Sequence, residues 1–138
     1  MKCPECGFLY CEDIPSDVKQ HLTIHHQFLD AKSQYKHIYL YEEEENLKRH
    51  GWDIVCNETV SLTERLFGAE QICYSYYSRS MSQNGFSSKH PNISDYIAML
   101  LDAKEHLESK WGSLVYNSMV EKYGTKPGIT HGFTIFKL

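Results

Sequence analysis

Two cysteines and two histidines near the start of the chain are spaced to hold a metal ion. The stretch Cys3-Pro4-Glu5-Cys6 is followed, after 14 intervening residues, by His21-Leu22-Thr23-Ile24-His25-His26. Cys-x-x-Cys sets two thiolates on one tight turn, pointing the same way. His21 and His25 lie one helical turn apart, so both imidazoles leave the same helix face. Two thiolates and two imidazoles are the donor set of a tetrahedral Zn²⁺ site, the ion joining a turn to a helix. The fourth ligand is open between two spacings. His25 shares a face with His21 more closely and is preferred, with His26 as the alternative. Cys11 stands too near Cys6 to displace a histidine and reads as a spare thiol. A fully ligated Cys₂His₂ ion keeps no position for water, so the ion itself is not expected to be catalytic.

The element that must carry the histidines is a helix. Pro15-Ser16-Asp17 supplies its start, with Ser16 as the expected cap and Asp17 at the positive helix end. Tyr10, Val18 and Leu22 are placed to form a small core beneath the ion. With Cys3-Pro4-Glu5-Cys6-Gly7-Phe8-Leu9-Tyr10 ahead of Asp17, His21 and His25, residues 3–26 resemble a Cys₂His₂ zinc finger. They look most like the finger that precedes the acetyltransferase domain of cohesin acetyltransferases. The resemblance implies a ββα-type unit. The Arg/Gln-x-x-Gly-x-Gly/Ala turn with which that class binds acetyl-CoA is missing, so acetyl transfer is not implied.

The chain has 138 residues, room for one compact unit or for a finger plus one small domain. Its 41% hydrophobic residues suffice for a core. A net charge of −4 argues against a protein that lives by phosphate contacts and favours one that meets a basic partner. Five cysteines, a Cys-x-x-Cys pair, no signal peptide and no long apolar run predict a reducing, cytoplasmic setting.

Residues 1–30 are expected to form the finger and 31–138 a mostly helical body packed on it. No Gly or Pro falls between Ser16 and His50. Phe28, Ala31, Tyr35 and Ile38 continue a helical stripe into the mid-30s. Glu42 to Arg49 is a second helix, acids first and bases last, with Gly51 as its stop. Trp52 to Cys56 alternates and reads as a short strand. Leu62, Leu66, Ala69, Cys73 and Tyr76 form a helical seam within 58–82, weakened at Gly68. Ser94 reads as the cap of a last helix running to Tyr123, kinked at Gly112. Phe133 to Phe136 is a candidate strand beside 52–56. The fold class is therefore mainly α, with a small two-stranded sheet.

The sequence has no His-Glu-x-x-His, phosphate loop or Gly-x-Ser-x-Gly. Asp102 and His106, at i and i+4, are the one acid/base candidate, and they read more simply as a solvated pair. In a DNA-reading finger the contact positions would be Ile14, Asp17 and Gln20, with Lys19 nearby. Ile14 is apolar and Glu12, Asp13 and Asp17 crowd the helix start with negative charge. Tyrosines, enriched at interfaces, cluster at Tyr74, Tyr76 and Tyr77 and again at Tyr35, Tyr39 and Tyr41. These features point to a non-enzymatic, zinc-stabilised protein-interaction module. Glu42, Glu43, Glu44, Glu45, Tyr74 and Tyr77 are the candidate contacts. By size, charge and build alone the chain is similar to zinc-binding anti-CRISPR proteins of phage, whose partner is a basic nucleic-acid-handling protein such as Cas9. The alternative is a single-finger DNA-binding regulator using Lys19 and Gln20.

Overall fold

The computed structural model describes residues 1–127. Its elements are α1 (Pro15–Gln34), α2 (Tyr41–Val55), α3 (Leu62–Gln83), α4 (Ile93–Leu101), α5 (Lys104–Trp111) and α6 (Ser113–Tyr123). The mainly helical class stands. No helix among the described residues is long and apolar enough to cross a membrane. The segment proposed as a second strand, 133–136, lies outside the described residues.

Helices α2 and α3 form an antiparallel pair at the centre. Ser75 Oγ donates to Glu44 O at 3.0 Å near one end, and Arg65 Nε to Val55 O at 3.0 Å near the other. Between these points Gly51 and Gly68 face one another at backbone contact. Two expectations fail here for one reason. Gly51 does not end α2, and Trp52 to Cys56 is not a strand; the helix runs on to Val55. A side chain at Gly51 would strike α3, so this glycine serves close approach rather than termination.

The seam on α3 buries Ala69, Cys73 and Tyr76, while Leu62 and Leu66 lie half-buried at its start. Its cap is Ser61, whose Oγ accepts from Glu64 N at 3.2 Å. Helices α4 and α6 cover α3 and α5 packs on α6, together burying Tyr96, Ile97, Leu101, Leu107, Trp111, Val115 and Met119, all nearly inaccessible. The expected single helix from Ser94 is three helices. Asn92 rather than Ser94 caps the first, accepting from Asp95 N at 2.9 Å. The chain leaves helical geometry at Ala103, and again at Gly112, whose φ of +83° only glycine adopts readily. Arg65 secures this arrangement by donating from Nη2 to Trp111 O at 3.1 Å, so one cation serves the C-terminal carbonyls of two helices.

Helix α1 is unbroken across residue 30, so the N-terminal unit and the body share it. Its inward residues Phe28 and Ala31 are buried, and the Phe28 ring packs 6.2 Å from that of Phe86. Pro15 opens it, and Ser16 makes no cap. Ahead of α1 there is no β-hairpin of finger type, only a single antiparallel bridge between Lys2 and Leu9. The pairing groups go into closing the turn: Cys3 N donates to Phe8 O and Gly7 N to Cys3 O, both at 2.9 Å.

Candidate metal centre

The Cys3–Phe8 turn and the middle of α1 bring four side chains together. One donor atom from each of Cys3, Cys6, His21 and His25 falls within a set whose members all lie within 4.8 Å of one another. Cys3 is buried and the other three are half-buried. Cys3 Sγ stands 3.5 Å from His25 Nδ1. A thiolate and an imidazole on one tetrahedral zinc are separated by about 3.5 Å, given the usual bond lengths. The other nitrogen of His25 lies 3.9 Å from a Glu5 carboxylate oxygen. A carboxylate behind a ligand histidine helps to orient its ring.

His21 gives a separate test of fit. Its Nε2 is buried and has no hydrogen-bond partner among the described residues. A buried imidazole nitrogen left without a partner is costly in a purely protein environment, and a metal ion removes that cost. The ring is held in place by stacking on Tyr10 at 4.1 Å and Phe8 at 6.0 Å. Burial raises the Cys6 thiol, and the adjacent Cys3 thiol raises it further. A divalent cation reverses that balance by deprotonating the thiols it binds. The four residues could therefore hold a metal ion, and two sulfurs with two imidazoles suit zinc.

His26 is not part of the cluster. It points to solvent, with Nε2 3.6 Å from Asp30. Between the two spacings left open by the sequence, the geometry takes His25. His25→Ala should abolish stoichiometric zinc in metal analysis of the purified protein. His26→Ala should leave metal content whole and stability within about 0.5 kcal/mol.

The unit is joined to the body through α2. The first amides of a helix lack partners within it; here Tyr41 N donates to Glu5 O at 2.7 Å and Glu42 N to Pro4 O at 3.3 Å. Gly7, at φ +77°, lies flat on the Tyr41 ring, where a Cβ would come within 2.5 Å of Cδ2. The backbone between the two cysteines thus caps α2 directly.

The remaining sequence candidates scatter. Lys19 and Gln20 are exposed on α1. Leu22, expected beneath the ion, is 63% exposed. Asp102 ends α4 and His106 lies on α5, so no continuous helix face joins them. Of the acidic run, Glu42 and Glu43 are exposed, and Glu45 is engaged by Lys48 and Arg79 at 3.4 Å each. Glu44 is interior, 5% exposed, and offers no surface to a partner. Tyr77 is interior too, edge-on to His90 and Tyr96, and Tyr74 is half-buried with its hydroxyl donating to Glu70. Compared with known proteins, the chain matches no family model, no curated protein and no solved structure.

The buried Glu44 was missed by composition but marked by spacing: positions 44, 51 and 55 fall on one helix face, and all three are buried. Burial pushes its carboxyl up to about 7, with Glu45 adding to the rise and Ser78, Arg79 and Lys48 opposing it. The folded chain therefore keeps this proton at pH values where an unfolded chain has lost it. Stability contributed at this position is present at low pH and lost as pH rises from the ordinary glutamate range through about 7. Glu44→Gln should stabilise the protein at pH 8 by about 2 kcal/mol and leave it unchanged near pH 4. Chemical denaturation at the two pH values checks this.

Proposed function

We propose that the protein is a non-enzymatic protein-interaction module whose N-terminal Cys₂His₂ finger is folded by zinc. Cys3, Cys6, His21 and His25 are the ligands, and with four protein ligands the ion has no open position for chemistry. The observation that carries the reading is the outward surface of the finger. Met1, Leu9, Ile14 and Leu22 are 61%, 70%, 46% and 63% exposed there. Glu12, Asp13 and Glu42 are exposed on the same unit or directly beside it. Met1 and Leu9 share a surface hollow with Glu12 and Asp13, and exposed apolar side chains beside acids suit a protein partner with a basic surface. They oppose a nucleic-acid backbone, which would meet Asp17 and Ile14 where a DNA-reading finger needs polar or basic contacts.

Affinity capture with the full chain from a host lysate tests the reading, run with zinc, with chelator and after nuclease treatment. The expected result is a protein recovered only in the zinc-loaded, nuclease-resistant arm. That binding should weaken on Leu9→Ser and on joint reversal of Glu42 and Glu43 to lysine, with a loss of salt dependence in the second variant. Recovery that vanishes with nuclease would replace this reading with DNA or RNA binding through Lys19 and Gln20.

A further inference from the structure

A cavity of roughly 180 Å³ opens between the Cys3–Phe8 turn and the α2–α3 pair. Glu44 lines it, nine-tenths and more buried. Ser78 lies on its wall and accepts from Tyr39 N at 3.1 Å, which leaves the Ser78 hydroxyl proton for the Glu44 carboxylate it hydrogen-bonds. The other charged groups around the cavity are already engaged. Arg79 is held by Glu45 at 3.4 Å, Lys2 Nζ donates to the Tyr41 hydroxyl at 2.8 Å, and Glu5 faces His25. No Lys, Arg or His nitrogen among the described residues pairs with Glu44 within 4.0 Å.

A carboxyl group buried without a paired cation is a standing cost to the fold, and an interior glutamine or leucine would avoid it. Four aromatic rings, Phe28, Tyr39, Tyr41 and Phe86, share the wall with Ile38 and with the polar Ser82 and Gln83. Such rings attract an ammonium group and enclose an alkyl stem. One of them does so already, since Lys2 Nζ lies 4.5 Å from the centre of the Tyr41 ring.

We propose that this cavity is a binding site for a primary alkylammonium group, with Glu44 pairing the charge and the rings of Tyr39 and Phe28 enclosing the stem. Two sources share that chemistry, a free amine and a lysine side chain of a polypeptide. The site stands whether or not the finger's outer surface binds a protein.

The test uses the zinc-loaded full chain at pH 7.5, titrated with n-butylammonium, with lysine blocked at both backbone ends, and with n-butanol. Binding is followed by calorimetry and by the ¹³C shift of the Glu44 carboxyl. The expected result is saturable binding of at least one ammonium probe that moves the Glu44 signal. Butanol should bind about tenfold more weakly or worse, and Glu44→Gln, near-isosteric and checked for folding by circular dichroism, should lose about tenfold in ammonium affinity. Butylammonium binding without blocked lysine assigns a free amine; binding of blocked lysine assigns a polypeptide side chain. The proposal is overturned if neither ammonium probe shifts the Glu44 carboxyl in the wild-type chain. Equal binding of butanol, or unchanged affinity in Glu44→Gln, overturns it as well.

Discussion

Removing zinc should unfold the first 26 residues while leaving the α3–α6 body folded. An ion held by Cys3, Cys6, His21 and His25 would be the main tie between the Cys3–Phe8 turn and α1, because the turn has one β-bridge, and Leu22, placed to pack beneath it, faces solvent. Apparent binding energies of structural zinc are about 10–16 kcal/mol at neutral pH, and in units of this size that energy is folding energy. The effect should also reach α2. Its first two amides are capped by Glu5 O and Pro4 O, so a collapsed turn leaves Tyr41 N and Glu42 N without those acceptors. Hydrogen exchange on zinc-loaded and chelated protein should therefore show lost protection across residues 3–25 and at these two amides, with the buried amides of α3 unchanged. Cys3→Ser should reproduce the chelated pattern with zinc present. If Cys3→Ser keeps full protection in the turn and at Tyr41, the ion is not what folds this unit.

That site was legible because its information is local. Ligand type and spacing alone placed Cys3, Cys6 and His21 together with either His25 or His26, since a turn and one helix suffice to do so, and the geometry takes His25. What sequence could not place was the unit's environment. Leu22 follows the pattern of a buried finger residue, but the hairpin that would cover it is reduced to the Lys2–Leu9 bridge. The acidic run Glu42 to Glu45 read as one partner-binding face. Tertiary packing divides it: Glu42 and Glu43 outside, Glu45 bonded across to α3, and Glu44 inside. Tyr77 was read by residue type as an interface tyrosine, although its spacing of four from Cys73 already placed it on the buried seam.

The helices show the same division. The seam from Leu62 to Tyr76 was visible because a 3.6-residue period needs no knowledge of the partner. Trp52 to Cys56 was misread because a short alternating apolar run fits a strand as well as the buried end of a helix. The deciding information was 17 positions away, at Gly68, and it is sequence-distant for a physical reason. Glycine in a helix costs about 1 kcal/mol relative to alanine when read alone. Two glycines become favourable together only when one helix crosses another there.

Gly51→Ala should therefore destabilise the protein although it improves helix propensity. A Cβ on Gly51 would lie 2.5 Å from Gly68 O and 2.8 Å from Ile72 Cγ1. The first of these atoms is backbone and cannot rotate away, so α2 and α3 must separate, loosening the packing along the central pair. Overpacking of this kind costs about 1–3 kcal/mol and occasionally more, and α2–α3 is the pair on which Val55, Ala69 and Ile72 are buried. After the propensity gain of about 1 kcal/mol we expect a net loss of about 2 kcal/mol. Gly68→Ala is the milder change, its Cβ 2.9 Å from Gly51 O and 3.1 Å from Ile54 Cβ, and should cost about 1 kcal/mol after the same propensity gain. The double variant separates this account from independent local strain. Once the first alanine has parted the helices, the second meets a wider gap, so the two losses should sum to more than the double variant shows. Additive losses in urea denaturation would mean that each alanine strains its own helix and the two do not share a crossing point. A stabilised Gly51→Ala would show that propensity outweighs contact, and that the helices do not approach as closely as the Gly51–Gly68 geometry requires.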